Sequence, residues 1–472
     1  MSAETDIAVL GAGPAGGAAA LAAAAGGARV VLIDEQAHPG GQVWRKKDVD
    51  LPGLAETPET CAGARLRGDL EASGATFLGG TRLWHIERVE GGWRLHLLTR
   101  GDRAETLTAR AAILAPGARE FVQPFAGWTT PGVYGLAGAT ALMKSQGCPP
   151  GRRSVVAGGG PLALFAAAEI LRLGGEVAAV ATPNGRGDWL RCAPILAANP
   201  ALARRGAELI ARIRRAGVPI LWRHVVTRAE GDRALIRVHA APCGAEWAPT
   251  GAARAFDADA LCVGHGLIPN VDVAVLAGLP RVYDADRGGW VVEAGPDGRT
   301  ALEGLFLCGD GAALRGAETA ARAGAGTGQA ALADLRGTPA PPPAPRRPDL
   351  RARFGRAMTA LARPRPGLLR LTRPNTVVCR CESLTRATLD AAIDAGAAGL
   401  DALKSATRCG MGPCGGRYCL TAAARLIEDR TGAAEGTVPP PVPRPPLFPL
   451  PVAAVAAGFD YDDLPIPAPA PL

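Results

Sequence analysis

Five of the chain's eleven cysteines fall between Cys379 and Cys419, in "NTVVCRCESLTRATLD" and "TRCGMGPCGGRYC". Cys379 and Cys381 form C-x-C, 32 residues separate Cys381 from Cys414, and four separate Cys414 from Cys419. Four thiolates suit Zn²⁺ or a [2Fe–2S] centre. Zinc sites more often pair one C-x₂₋₄-C with another. A disulfide between Cys379 and Cys381 would be strained. Spacing alone leaves cluster, zinc and bare thiols open.

The elements around the cysteines must bring them together. "SLTRATLDAAIDAGAAGLDALKSAT" reads as two helices, with Ser383 or Thr385 capping the first and Gly396 and Gly399 framing the turn. "CGGRYCLTAAARLIEDR" reads as a further helix opening at Cys414. A C-x-C loop facing a helix N-terminus can gather thiolates, because free N–H groups and the helix dipole stabilise anionic sulfur.

A second chemistry lies at the N-terminus. "DIAVLGAGPAGGAAALAAAAGGARVVLIDE" reads as strand, turn, helix and strand, with Gly11, Gly13 and Gly16 in G-x-G-x-x-G. Gly11 permits the tight turn, Gly13 lets backbone approach a pyrophosphate, and Gly16 lets helix and strand pack closely. Pro14 and Ala15 open the helix whose N-terminus would face the phosphates. Asp34 ends the second strand, where a carboxylate can accept from ribose hydroxyls, and Glu35 follows it. This pattern calls for a dinucleotide; by itself it does not choose between FAD and NAD.

Two later stretches bear on that choice. "AAILAPGARE", with Ala115 and Gly117, resembles the strand and turn that close the first domain of two-dinucleotide-domain flavoproteins. "GLFLCGDGAALRGAETAARAGAGTG" resembles their C-terminal flavin motif, and Gly309 and Asp310 match its Gly-Asp. "PGGQ", with Gly41 and Gln42, matches a flavin-contacting loop of the same families. The resemblance implies FAD.

Between these stretches "RRSVVAGGGPLALFAAAEILRLGGEVAAVAT" begins a second repeat, with Gly158, Gly160 and Ala163 at the turn positions. Its second strand, Glu176–Ala181, ends without an acid to grip a ribose. The expectation is a domain that folds as a dinucleotide domain, with NAD(P) binding doubtful. None of Cys61, Cys148, Cys192, Cys243, Cys262 and Cys308 has a C-x-x-C partner, which opposes thiol–disulfide exchange. His265 is expected to pack or hydrogen bond rather than act as a base.

The fold class is therefore α/β. Residues 1–120 and 255–336 are read as a discontinuous Rossmann-like FAD domain, and 121–254 as an inserted second Rossmann-like domain. Residues 337–374 form a Pro/Arg-rich linker with a short helix at Leu350–Ala362. Residues 375–432 form a small, mostly helical [2Fe–2S] domain, and 433–472 a Pro-rich tail read as a strap across a partner.

Net charge is +8, and nine Arg with one acid lie between Arg346 and Arg373. This run is read as a solvated linker or docking surface; no nucleic-acid signature accompanies it. Ala15–Ile33 is apolar but interrupted by Gly26, Gly27 and Arg29, so no integral membrane segment is expected. A reducing, cytoplasmic setting is expected, with a peripheral position at the inner membrane face as its variant.

The cysteine region resembles the bacterioferritin-associated-ferredoxin-like [2Fe–2S] domain. That resemblance implies Cys379, Cys381, Cys414 and Cys419 as ligands and leaves Cys409 spare. Taken whole, the chain resembles the FAD-containing larger component of multi-subunit amine and imino-acid dehydrogenases (the hydrogen cyanide synthase, opine oxidase and D-hydroxyproline dehydrogenase types). The resemblance implies FAD and [2Fe–2S], an amine, imino-acid or opine substrate, a second amine-oxidising flavoprotein subunit, and a small ferredoxin-like subunit. The competing expectations are a stand-alone NAD(P)H-dependent reductase and a scaffold subunit with structural FAD and zinc.

Overall fold

The computed structural model describes residues 2–49, 53, 55–339 and 349–456. Strand Ser2–Leu10 feeds the first glycine turn, helix Pro14–Ala25 and the parallel strand Val30–Asp34. Thr76–Gly79 extends the sheet on one side. On the other lie Arg103–Leu114 and Leu305–Leu307, also parallel. On its other edge the first half of Arg103–Leu114 pairs antiparallel with Gly92–Thr99, which pairs in turn with Arg82–Val89, so a meander continues the same sheet. The central strands are apolar along their length because apolar side chains cover both faces of the sheet.

Helix Ala317–Arg336 packs on helix Pro14–Ala25 at very short range. A Cβ at Gly324 would overlap the Ala15 carbonyl, and one at Gly328 the Ala19 carbonyl. The Ala/Gly richness of both segments is thus the condition for this helix pair. It brings the C-terminal flavin-type motif against the first glycine turn.

The second sheet is fully parallel, in the order Ile220–Trp222, Glu176–Thr182, Arg153–Gly158, Ala260–Gly264, Val133–Gly135. A domain boundary at residue 255 places Ala260–Gly264 in the FAD domain, and here the expectation needs correction. All five residues of this strand are buried in the second sheet, and strand partners so distant in sequence are invisible to local pattern. Two short antiparallel strands, Ala118–Glu120 and Leu267–Pro269, carry the chain out and back. A three-stranded antiparallel sheet, His224–Glu230, Arg237–Pro242 and Arg254–Asp257, packs on the parallel sheet of the insertion.

Helix Leu350–Ala362 follows, capped by the Asp349 carboxylate, which accepts from Arg351 N and Ala352 N. The C-terminal domain contains helices Arg386–Asp394, Leu400–Thr407 and Leu420–Thr431. Thr385 caps the first of them. The third opens at Leu420 with Cys419 as its N-cap, so Cys414 lies in the preceding turns rather than on the helix. The reason is local: Gly415 and Gly416 take positive φ and interrupt a continuous helix.

The tail from 433 to 456 lies on this chain's own first domain. Arg281 donates to the Pro440 and Pro441 carbonyls, Leu447 N donates to the Trp84 carbonyl at 3.0 Å, and Arg82 stacks 4.0 Å from the centre of the Phe448 ring. The strap expected to cross a partner is, over these residues, an internal strap. Residues 457–472 lie outside the described residues.

Candidate functional site

The first turn has the shape a pyrophosphate needs. Gly11 sits at φ +94°, and a Cβ there would overlap the Ala115 carbonyl oxygen. A Cβ at Gly16 would overlap the Gly11 carbonyl. Above Gly13 there is room: the nearest atom to an added Cβ is the Gly41 Cα at 3.9 Å. Among the described residues, no side chain caps the helix N-terminus at Gly13. The fold therefore requires Gly11 and Gly16 for packing and leaves the space at Gly13 for a ligand.

Asp34 is buried at the strand end. Its Oδ2 accepts from Ala12 N at 2.6 Å and its Oδ1 from Gln36 N at 2.7 Å. Burial raises its pKa while these amides pull it back down. The carboxylate thus stitches the glycine turn to the end of its own strand and keeps free lone pairs for hydroxyl donors. Glu35 is not brought to the site. Its side chain is 58% exposed and pairs with Arg82 at 3.6 Å, because consecutive strand residues point to opposite sides. Gly41 packs on Gly13, and the Gln42 Oε1 accepts from Arg45 at 2.9 Å. The Gly117 carbonyl accepts from Asn270 N at 3.0 Å. Gly309, at φ +71°, lies against Ala15, and Asp310 accepts from Arg315 N at 3.1 Å. Gly11, Gly13, Pro14, Ala15, Gly16, Asp34, Gly41, Ala115, Gly309 and Asp310 thus gather around one turn.

At the far end, Cys379, Arg380, Cys381, Cys414, Tyr418 and Cys419 line a pocket of about 230 Å³. Cys379 and Cys419 are buried, Cys381 is exposed and Cys414 is half-buried. The pocket is therefore open on the Cys381 side. A Cβ at Gly412 would overlap Cβ of Cys381, so glycine in "GMGPC" is what admits the C-x-C loop. Cys409 is buried behind the pocket, and its sulfur lies with those of Cys379 and Cys419 inside a 4.8 Å group. The Cys419 thiol is pushed up first by its contact with Cys409 and then by burial; burial likewise raises Cys379. Crowded thiols hold their protons, and a bound metal reverses that preference. The donor set fits an all-sulfur metal or cluster site. All eleven cysteines are free thiols.

Residues the sequence did not single out join the two ends. Arg119 donates to the Arg417 carbonyl at 2.9 Å, and Trp128 Nε1 to the Val377 carbonyl at 2.6 Å. Arg380 stands 4.9 Å from the Trp128 ring centre and 4.7 Å from that of Tyr418, an arrangement that holds a positive charge beside the cysteine loop. A cavity of about 1360 Å³ is lined on one side by Asp310, Arg315 and Gly316 and on another by Gly410, Gly415 and Arg417. His265 is buried, and its Nδ1 accepts from Gln123 N at 3.0 Å. Burial lowers its pKa to about 3, so it is neutral at pH 7 and serves as a hydrogen-bond acceptor.

The second glycine turn is filled from within. Leu361 O and Ala362 Cα would stand 3.1 and 3.2 Å from a Cβ on Gly159, and Ala362 Cβ 3.1 Å from one on Gly160. Asn184, just past the strand Glu176–Thr182, accepts from Gly160 N at 2.9 Å and donates to the Leu361 carbonyl at 2.9 Å. The carbonyl end of helix Leu350–Ala362 thus meets the N-terminus of helix Pro161–Arg172, where a dinucleotide phosphate would sit. The two helix dipoles meet with favourable sign.

Among the described residues, no helix is long and apolar enough to cross a membrane. Residues 5–327 match the pyridine nucleotide-disulphide oxidoreductase family, and residues 377–429 match the BFD-like [2Fe-2S] binding domain. The chain is 31% identical to an opine oxidase subunit of Agrobacterium tumefaciens, over 89% of this chain and 85% of that protein. It is 32% identical to hydrogen cyanide synthase subunit HcnB of Pseudomonas aeruginosa, over 94% of this chain and 97% of that one. In fold it is similar to L-proline dehydrogenase from P. horikoshii, with a TM-score of 0.71 and 21% identity over 96% of this chain and 80% of that one. With its FAD-type glycine turn, its self-occupied second turn and its five-cysteine C-terminal domain, the chain belongs to the pyridine nucleotide-disulphide oxidoreductase family, as an FAD-dependent oxidoreductase related to opine oxidase and hydrogen cyanide synthase subunits.

Proposed function

We propose that this chain is the electron-relay subunit of a multi-subunit dehydrogenase that oxidises an amine, imino acid or opine. A second flavoprotein subunit would carry the substrate chemistry, a small ferredoxin-like subunit would complete the assembly, and a quinone-like or other carrier would accept the electrons. Gly11, Gly13, Pro14, Ala15, Gly16, Asp34, Gly41, Ala115, Gly117, Gly309 and Asp310 would hold FAD. Cys379, Cys381, Cys414 and Cys419 would hold the [2Fe–2S] cluster. When bound, FAD exchanges electrons in pairs with organic substrates and singly with a one-electron centre, which is the conversion a [2Fe–2S] site requires.

The observation that carries the reading is the shared cavity: Asp310 and Arg315 of the flavin-type motif and Gly410, Gly415 and Arg417 of the cysteine loop line the same interior space. Arg119 ties the two walls together, and the Cys381 side of the cysteine pocket opens outward as an exit. A quinone acceptor would bring the complex to the inner face of the membrane. The self-filled second turn weighs against a stand-alone NAD(P)H reductase, because the phosphate position holds Ala362.

The test is reduction of the iron-replete protein co-purified with its flavoprotein partner. Substrate is expected to produce the EPR signal of a reduced [2Fe–2S] centre. A complex that turns over substrate with no cluster signal would sink the relay, and metal analysis giving zinc without iron would favour the scaffold reading.

A further inference from the structure

The antiparallel edge of the first sheet carries a group of side chains that the relay does not use. His85 lies directly opposite His96 on the neighbouring strand, and Glu87 stands two residues beyond His85. The pairing of Arg82–Val89 with Gly92–Thr99 shifts between Leu83 and His85. Strict alternation from buried Leu83 would aim His85 into the core. The irregularity instead turns Trp84 and His85 toward the outer face and returns Ile86 to the core.

One nitrogen from each imidazole and one oxygen from Glu87 consequently lie within 4.8 Å of one another. His96 Nε2 is 2.9 Å from Glu87 Oε1. The Nδ1 of His85 is buried and has no hydrogen-bond partner among the described residues. A buried nitrogen without a partner is unfavourable, and a cation relieves that by taking its lone pair. The Trp84 ring, centred 4.9 Å from that of His96, partly covers the group. Two imidazoles and a carboxylate with open positions are the donor set of borderline divalent transition ions.

We propose that His85, Glu87 and His96 bind one divalent transition ion of the Zn²⁺ class, which pins the edge strand Arg82–Val89 to its neighbour and is separate from the cysteine site. Arg94 competes with the ion, because its guanidinium lies 3.4 Å from the same Glu87 oxygen.

The test uses oxidised, cluster-loaded protein, in which Cys379, Cys381, Cys414 and Cys419 are occupied and the [2Fe–2S] centre is EPR-silent. Equilibrium dialysis against Zn²⁺ with metal analysis is expected to show one ion per chain beyond the cluster iron. Added Cu²⁺ is expected to show hyperfine coupling to two imidazole nitrogens. His85→Ala and His96→Ala should each abolish both signals while cluster absorbance persists. Arg94→Ala leaves all three ligands in place and should tighten Zn²⁺ several-fold. The assignment is overturned if no ion binds beyond the cluster, if binding survives both histidine variants, or if Arg94→Ala leaves Zn²⁺ affinity unchanged.

Discussion

Asn184 reaches a carbonyl 177 residues further along the chain: its side-chain amide donates to the Leu361 carbonyl at 2.9 Å while its oxygen accepts from Gly160 N at 2.9 Å. One amide thus occupies the position where a dinucleotide domain would grip its ligand, and uses it to hold the chain's own helix. Asn184→Ala leaves a buried N–H and a buried carbonyl unpaired. It should cost about 1–3 kcal/mol in a urea unfolding experiment. The same geometry predicts that NADH and NADPH do not bleach the flavin of the unmodified protein rapidly on stopped-flow mixing.

The two glycines of the first turn should separate fold from cofactor. Gly16→Ala places a methyl group on the Gly11 carbonyl and should lower the melting temperature of the flavin-free chain. Gly13→Val meets little protein and projects into the open space above the turn. It should leave that melting temperature nearly unchanged and reduce bound flavin to a small fraction. Flavin absorbance per chain, beside a thermal melt, checks both.

Among the five cysteines the four pocket-lining ones should be indispensable. Serine at Cys379, Cys381, Cys414 or Cys419 should each abolish the visible absorbance of the cluster. Cys409→Ala should retain it, since Cys409 lies behind the pocket rather than on its wall. A cluster lost in Cys409→Ala and kept in Cys381→Ser would reverse the ligand assignment.

Glu120 sets a pH dependence. Its carboxylate accepts from Ala137 N at 2.7 Å, yet burial raises its pKa to about 7. In the unfolded chain the group ionises near the usual ~4.3. Between these values the folded state binds more protons than the unfolded one, so stability falls as pH rises from about 4.5 to about 7 and stays lower above. Glu120→Gln, which keeps an acceptor for Ala137 N, should flatten that slope, by on the order of 3 kcal/mol across the window at most. Urea midpoints measured from pH 4.5 to 8 decide it.

Much of this protein was legible along the chain because the constraints were local. A glycine turn between strand and helix, an acid at the strand end and a C-x-C loop each carry their physical demand within a few residues. So do the helices Arg386–Asp394 and Leu400–Thr407, with their cap and their turn glycines. Whatever depended on distant partners was not legible. Ala260–Gly264 joins the second sheet because its hydrogen-bond partners are Arg153–Gly158 and Val133–Gly135. Glu35 faces solvent because the pleat turned Asp34 inward.

Residue types and short-range spacing alone determined that the chain carries a dinucleotide turn and a thiol-rich domain, since each is a motif of backbone geometry and donor chemistry. Only the tertiary structure decided that helix Leu350–Ala362 fills the second turn, that Cys409 stands behind its neighbours, that the tail wraps its own first domain, and that His85 meets His96. Those outcomes arise from close packing between segments whose separation along the chain says nothing about which surfaces fit together.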